Sequence, residues 1–238
     1  IDGKNYLEKG KDQSKDQSYF LYTMRDEVLK KVIFPIGHLL KSEVKKIAKE
    51  QNLITANKKE SMGICFIGKR DFKPFLNKYI EYKKGNFISI EGKTLAKHDG
   101  LAFYTIGQRK GLKLGGPGDA WYVAKKDVKD NTITLVQGKD HPALFCDDLI
   151  ANNLSWINNH QEIKYPIKCL AKARYRQINF PCTIEKINDD NIKVIFETPQ
   201  RAITEMQSIV FYSDDICLGG GIIKSAGISH YHKKKTKL

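Results

Sequence analysis

The sequence predicts a chain of the α/β plus β class, with helices first, then a small central β domain, and a C-terminal β-barrel-like domain of six strands. Three observations give this prediction. Apolar residues recur at helical spacing up to about residue 82, and they alternate at strand spacing from Gly85 onwards. Short strand-like segments then follow at nearly regular intervals between residues 148 and 224, a pattern typical of small barrels.

Three helices are predicted in the first part of the chain. The first covers residues 18–31 with Ser18 as its cap, and the second covers residues 42–52 with Ser42 as its cap. The third covers residues 71–82, where aromatic and aliphatic side chains mark one face. We expect that face to be packed in the core.

The central β domain is expected at about residues 83–140. Short strands are predicted near residues 87–90 and 101–104. Residues 120–124 and 132–136 are predicted to pair as a hairpin, because a polar turn separates two β-prone segments.

The C-terminal barrel is expected at residues 146–225, followed by a basic tail at residues 226–238 that is predicted to be disordered. Its six strands are predicted near residues 148–156, 167–176, 181–187, 192–197, 208–212 and 216–224. Alternation along the second of these strands places Lys168, Lys172, Arg174 and Arg176 on one face. Such a row of cations could follow a phosphate backbone, and a solvated strand face is the alternative.

The charge of the chain points to a polyanionic partner. The 238 residues include 41 Lys and Arg against 27 Asp and Glu, which gives a formal net charge of +14. Nucleic acid is the first candidate partner and a membrane surface the second. No apolar run approaches the roughly 18 residues that a membrane span needs, so we expect no membrane association. A lysine-rich composition without any such partner is the alternative.

The cysteines and histidines argue against a disulfide framework and a metal site. Five cysteines are an odd number, and none forms a C-x-x-C pair. The six histidines are scattered. Because no cleavable apolar leader opens the sequence, a reducing, cytoplasmic compartment is expected.

Cys65 is the candidate reactive thiol. It lies between Gly63 and Gly68, and four basic residues are close to it in sequence: Lys58, Lys59, Lys69 and Arg70. Glycine permits tight turns, and positive charge stabilises the nucleophilic thiolate. A small buried hydrophobic residue is the alternative for a cysteine between Ile and Phe.

Several longer phrases resemble the tRNA-specific 2-thiouridylase family. They lie in order along most of the chain: Lys15–Leu21 (KDQSYFL), Ser61–Gly68 (SMGICFIG), Tyr104–Leu112 (YTIGQRKGL), Gln137–Pro142 (QGKDHP), Ala173–Gln177 (ARYRQ) and Cys217–Ile223 (CLGGGII). This family places sulfur on C2 of the wobble uridine, position 34 of tRNA.

The resemblance implies a domain order and a cofactor. Residues 1–82 would be the C-terminal part of an adenine-nucleotide-binding α/β domain. ATP, with Mg²⁺, would then be bound by an N-terminal part that is not in this sequence. The chain begins with Ile1 rather than Met, and the glycine-rich stretches at 107–118 and 219–221 do not match a phosphate loop. We therefore expect a truncated chain that is inactive by itself.

The resemblance also implies the site residues. Cys65 would carry sulfur as a persulfide supplied by a sulfur-relay protein or a cysteine desulfurase. ATP would adenylate the C2 oxygen, and a second cysteine outside this chain would release the sulfur or form a transient disulfide with Cys65. The residues implied to contact tRNA are Lys15, Asp16, Gln17, Arg174, Tyr175 and Gln207. The phrase Glu205–Gln207 departs from the family, in which Pro-Gly-Gln is usual.

Two functions from different classes follow. One is an ATP-dependent tRNA-thiolating enzyme, of which this chain holds the persulfide cysteine and much of the tRNA surface. The other is a non-catalytic module that binds tRNA or another RNA. An upstream phosphate loop and second cysteine would favour the enzyme.

Overall fold

The fold is that of a computed structural model, which describes residues 5–58, 72–158 and 164–236. The chain divides into two compact units. The first comprises Ile1–Lys58, Asp147–Gln200 and Thr204–Gly227, and the second comprises Lys59–Cys146, Arg201–Ile203 and Ile228–Leu238. Cys65 lies outside the described residues.

The described residues form eleven strands and five α-helices, each numbered in chain order. The strands are β1 (Leu7–Glu8), β2 (Gly85–Ser89), β3 (Thr94–His98), β4 (Trp121–Asp127), β5 (Thr132–Gln137), β6 (Phe145–Trp156), β7 (Ile167–Lys172), β8 (Phe180–Lys186), β9 (Ile192–Arg201), β10 (Ser208–Ser213) and β11 (Ile216–Ala226). The α-helices are α1 (Ser18–Leu21), α2 (Asp26–Leu29), α3 (Lys41–Glu50), α4 (Phe72–Leu76) and α5 (His230–Lys235).

The first unit is built on a closed six-stranded antiparallel barrel, which confirms the predicted architecture. Its strand order is β11-β10-β7-β8-β9-β6, and pairing of β11 with β6 closes the cylinder. The short β1 pairs with the start of β11, on the edge that β6 occupies further along the strand, with Leu7 opposite Cys217. Buried side chains from β1, α1, α2 and the barrel form one core that includes Tyr19, Tyr22 and Tyr212.

The glycines of β11 are explained by close backbone approach. A Cβ atom on Gly220 would lie 2.4 Å from the carbonyl oxygen of Ile209, and one on Gly219 would lie 2.2 Å from that of Ser155. Gly219 also has a φ of +139°, which side chains disfavour. These glycines therefore let three strands pack together.

The second unit contains a mixed four-stranded sheet of order β3-β2-β5-β4. The predicted hairpin of β4 and β5 is confirmed as an antiparallel pair. β2 and β5 pair in parallel, with Phe87 opposite Ile133. Phe87, Ile133 and Leu135 are buried in the core of this sheet.

Three predictions for the second unit are wrong in detail. Leu101–Phe103 forms a turn of 3-10 helix rather than a strand, because Gly100 has a φ of +144° and donates its N–H to His98 Nδ1. The helix predicted over residues 71–82 is shorter, at Phe72–Leu76. The predicted disordered tail contains α5, which Ser229 caps through its hydroxyl.

The first predicted helix is also wrong in extent. It is divided into α1 and α2, because Arg25 is extended and the N–H of Asp26 donates to the carbonyl of Ile157. Ser18 is not a cap, since its hydroxyl donates to Asp16. The second predicted helix is confirmed as α3, although Leu40 rather than Ser42 precedes its first residue.

Within the described ranges, no helix combines the length and apolar character that crossing a bilayer requires.

Candidate nucleic-acid interface

In the segment Lys15–Phe20, exposed side chains available for binding alternate with buried side chains that pack against the barrel. Lys15, Gln17 and Phe20 are exposed, whereas Asp16, Ser18 and Tyr19 are buried. The buried residues hold the segment against the barrel. The segment therefore presents one cation, one amide and one aromatic ring to solvent on a fixed backbone.

The carboxylate of Asp16 accepts three of the hydrogen bonds that hold this segment in place. Its Oδ1 accepts hydrogen bonds from the backbone N–H groups of Gly10 and Ser18, at 3.1 and 3.0 Å. Its Oδ2 accepts from the Ser18 hydroxyl at 2.9 Å and lies 3.5 Å from Lys172 Nζ. Both members of this ion pair are buried. In this arrangement the carboxylate of Asp16 is fully engaged within the protein.

Lys172 belongs to a buried group around Tyr212. Its ammonium lies 5.5 Å from the centre of the Tyr212 ring, and that of Lys9 lies 4.8 Å from it. Lys9 also bonds the carbonyl of Asp214 and the carboxylate of Asp215. Burial raises the pKa of the Tyr212 hydroxyl, which contacts the hydroxyl of Ser18 at 3.2 Å. These groups are structural, since a buried cation requires such partners.

The predicted row of cations on β7 is therefore wrong. The strand ends at Lys172, which is buried against Asp16. Residues 173–177 form a turn, in which Gln177 N–H donates to the Arg174 carbonyl and Gln177 Oε1 accepts from Ala173 N–H. Arg176 adopts a φ of +65°, which is outside the strand region. Alternation predicted the start of the strand and missed its end.

Gln17 and Tyr175 are brought together from distant parts of the sequence. The Gln17 side-chain amide donates to the Tyr175 hydroxyl at 2.7 Å. The ring of Phe20 packs on Tyr175 with centroids 4.6 Å apart, and Tyr19 contacts the same ring at 6.2 Å. Arg176 lies over Tyr175 at 5.4 Å. An amide, two aromatic rings and a cation thus share one surface.

Arg174 and Gln207 are linked through Thr204. The guanidinium of Arg174 donates to the Thr204 hydroxyl at 2.8 Å, and the N–H of Gln207 donates to the Thr204 carbonyl at 3.4 Å. Met206 adopts a φ of +66° and is 82% exposed. This residue stands where the resembled family usually has glycine, which adopts that backbone conformation at little cost.

These contacts define the surface called here the barrel-end surface: Lys15, Gln17, Phe20, Arg174, Tyr175 and Gln207. Both β7 and β9 run antiparallel to β8, so these two strands point to the same end of the barrel. The β7–β8 turn and the β9–β10 connection therefore lie at that end. Tyr19 ties α1 to this end by donating its hydroxyl to the Ser208 carbonyl at 2.8 Å. Burial raises the pKa of Tyr19 to about 12, so it remains a neutral donor.

A groove borders the segment Lys15–Ser18. Its volume is about 1060 Å³, and its walls come from residues 6–18, 33–44 and Asp215. The Lys41 N–H donates to Asp12 Oδ2, and the Lys11 N–H donates to the Gly37 carbonyl. These bonds hold the two walls together.

The described thiols are poorly suited to nucleophilic chemistry. Cys146, Cys182 and Cys217 are buried, and Cys169 is half-buried. Burial raises the pKa of Cys217 to about 12. Contact with Cys169, whose Sγ is 3.7 Å away, and burial also raise the pKa of Cys182. The predicted persulfide residue, Cys65, lies outside the described residues.

The glycine-rich stretches do not fit a nucleotide. Gly219–Gly221 are enclosed between strands, where even a Cβ atom would collide with backbone oxygens. The stretch at 107–118 forms turns and does not lead into a helix. A phosphate loop needs free N–H groups at a helix start. We therefore assign no ATP contact to either glycine-rich stretch.

Sequence reasoning missed three residues of this region. Phe20 lies within the phrase Lys15–Leu21, and nothing in its spacing predicts that it is exposed. Alternation predicts Lys172 to be one of a row of cations on one strand face, and it does not reveal the buried partner Asp16. Thr204 gave no signal, because its role depends on a contact with Arg174 that forms only in the folded chain.

The end of an antiparallel barrel that carries cations, amides and exposed aromatic rings is the kind of surface that single-stranded nucleic-acid-binding proteins present. Three family models match the chain. They are described as the tRNA methyl transferase HUP domain at residues 1–69, the tRNA methyl transferase PRC-barrel domain at residues 73–137 and the aminomethyltransferase beta-barrel domain at residues 146–223.

Curated relatives match nearly the whole chain. The tRNA-specific 2-thiouridylase MnmA of Protochlamydia amoebophila is 49% identical over 98% of this chain and 62% of its own length. The proteins of the same name from Aliivibrio fischeri MJ11 and Francisella philomiragia are 51% and 52% identical over 93% of this chain and 60% and 63% of theirs. The chain belongs to the tRNA-specific 2-thiouridylase family. It spans about three fifths of the length of these relatives.

Proposed function

We propose that this chain works in the 2-thiolation of the wobble uridine of tRNA, as a sulfurtransferase of the 2-thiouridylase type. The observation that carries the proposal is the convergence of three segments at one barrel end. Gln17 bonds Tyr175, and Arg174 connects through Thr204 to the segment of Gln207. The matching domain models are named for methyl transfer, but the relatives that match over nearly the whole chain are named for thiolation.

In this proposal the barrel-end surface holds the substrate. Lys15 and Arg174 supply charge for phosphates, and the Gln17 and Gln207 amides can bond base edges or 2′-hydroxyl groups. Asp16 has a positioning role, because its carboxylate is engaged by Gly10, Ser18 and Lys172. It would act on tRNA through the exposed neighbours that it fixes, Lys15 and Gln17.

Cys65 is proposed to carry the transferred sulfur as a persulfide. The basic residues adjacent in sequence would favour its thiolate form. The sulfur would come from a relay protein or a cysteine desulfurase, and a second cysteine outside this chain would take part in its release. Activation of the C2 oxygen by ATP and Mg²⁺ is assigned to none of the residues that the structure describes.

The proposal is tested with tRNA carrying an unmodified wobble uridine, a cysteine desulfurase with radiolabelled cysteine, and ATP. We expect the native protein to form 2-thiouridine, detected by mass spectrometry of nucleosides, and the Cys65→Ser variant to form none. Cys217→Ala is the matched control and should retain activity. Thiolation that survives in Cys65→Ser would overturn the role of Cys65.

A non-catalytic tRNA-binding module is the second candidate, favoured by the buried thiols among the described residues. Because neither glycine-rich stretch fits a nucleotide, we expect residues 1–238 alone to bind tRNA without thiolating it. Formation of 2-thiouridine by residues 1–238 with ATP and the sulfur donor would exclude this candidate. If the native protein forms no 2-thiouridine under the same conditions, the non-catalytic module is favoured.

A further inference from the structure

We propose that Phe20 and Tyr175, called here the aromatic pair, form a stacking platform for an unstacked base of the bound RNA. This inference rests on the proposed function and adds a specific recognition mode to it. Phe20 was not among the predicted site residues. Phe20 is 55% exposed, although its neighbour Tyr19 in α1 is buried.

The geometry of the aromatic pair suits an incoming base. The two rings are 4.6 Å apart at an angle of 43°, so they form a continuous tilted surface. Arg176 lies at 5.4 Å from the centre of the Tyr175 ring. A planar guanidinium beside an aromatic ring can itself stack on a base or contact a phosphate. The pair therefore combines two aromatic rings with a cation over one of them.

The aromatic pair is held rigid by buried contacts. Tyr19 packs edge-on against Phe20 with centroids 5.3 Å apart, and its hydroxyl is bonded to the Ser208 carbonyl. The Tyr175 hydroxyl accepts from Gln17 at 2.7 Å. A surface that is already ordered loses little conformational entropy when it binds. These anchors distinguish the pair from a mobile exposed side chain.

The charge around the aromatic pair favours RNA as its occupant. The segments 15–20 and 173–179 contain Lys15, Arg174 and Arg176, and their single acidic residue is Asp16. Asp16 is buried and paired with Lys172, so it does not offset the charge of these three cations. Aromatic rings interleaved with cations are the pattern by which proteins hold single-stranded nucleic acids.

The test compares variants of Phe20 in binding a tRNA with an unmodified anticodon loop. Phe20→Leu keeps an apolar side chain but removes the ring, and we expect it to weaken binding by about 5- to 100-fold. Phe20→Tyr should bind like the unaltered protein. The slope of log affinity against log salt should stay unchanged in both variants, because stacking releases no counterions. Tyr79→Leu removes another exposed ring, 72% accessible, and is the matched control.

A fluorescent base gives a second readout. With 2-aminopurine placed in turn at single-stranded positions of the anticodon loop, the unaltered protein should change the fluorescence at one position, and Phe20→Leu should lose that change. Binding and fluorescence that are equal in Phe20→Leu and the unaltered protein would overturn the platform alone. An unaltered protein that fails to bind tRNA would overturn the proposed function as well.

Discussion

The side-chain amide of Gln17 donates a 2.7 Å hydrogen bond to the hydroxyl of Tyr175, although 158 positions separate the two residues in sequence. The contact joins the segment before α1 to the turn after β7. Each residue lies in a separate motif of the sequence, and the fold makes them neighbours. This contact therefore explains how distant motifs can serve a single binding surface.

The buried ion pair of Asp16 and Lys172 should be essential for stability. Asp16→Ala removes the partner of a buried ammonium and three further hydrogen bonds. We expect the free energy of unfolding to fall by about 3–5 kcal/mol. Denaturant titration followed by circular dichroism measures this change. Asp189→Ala, which removes an exposed partner of Lys186, is the control and should change stability by less than about 1 kcal/mol. Equal effects of the two variants would contradict this role.

Arg174 should contribute to tRNA affinity through charge. Arg174→Ala should weaken binding and reduce the slope of log affinity against log salt by about one unit. Arg174→Lys should keep most of that slope, because it keeps the charge. Lys186→Ala removes a cation from the other end of β8 and should leave the slope unchanged. Binding isotherms across a salt series measure these slopes, and an unaltered slope in Arg174→Ala would assign that residue a structural role.

Cys217 should resist alkylation in the folded protein. Because burial raises its pKa to about 12, its thiolate fraction at pH 8 is about one in ten thousand. Iodoacetamide followed by peptide mass spectrometry should modify Cys65 and leave Cys217 unmodified until denaturant is added. Rapid labelling of Cys217 in the native protein would show that its burial is transient.

His98 should make the second unit less stable in mild acid. Burial holds the pKa of His98 below its usual value of about 6.5, and Nδ1 accepts the Gly100 N–H. Because the neutral imidazole is favoured in the folded state, its contribution to stability is complete above about pH 6.5. That contribution is lost as the pH falls through the pKa of His98 in the folded protein. Thermal melts should show that lowering the pH from 7.5 to 5 decreases the melting temperature more for the unaltered protein than for His98→Gln. Parallel pH profiles would contradict this explanation.

The sequence predicts the barrel well because alternation and turn residues are local signals. All six barrel strands were expected near their observed positions, from β6 to β11. The division of the first helix and the end of β7 were not expected. Both depend on long-range contacts, Asp26 with Ile157 and Lys172 with Asp16, which no local pattern encodes. The same reason applies to Phe20, whose contact with the Tyr175 ring forms only in the folded chain.

The most direct test of the barrel-end surface is site-specific photocrosslinking to tRNA. A benzoyl-phenylalanine replaces Phe20 or, in a separate variant, Ile187. The two residues are similarly exposed, Phe20 at 55% and Ile187 at 51%. Ile187 follows β8 and lies at the opposite end of the barrel from the turn after β7. We predict a crosslink from position 20 to the anticodon loop and none from position 187. Equal crosslinking at both positions, or crosslinking at position 187 alone, would contradict the placement of tRNA at this end of the barrel.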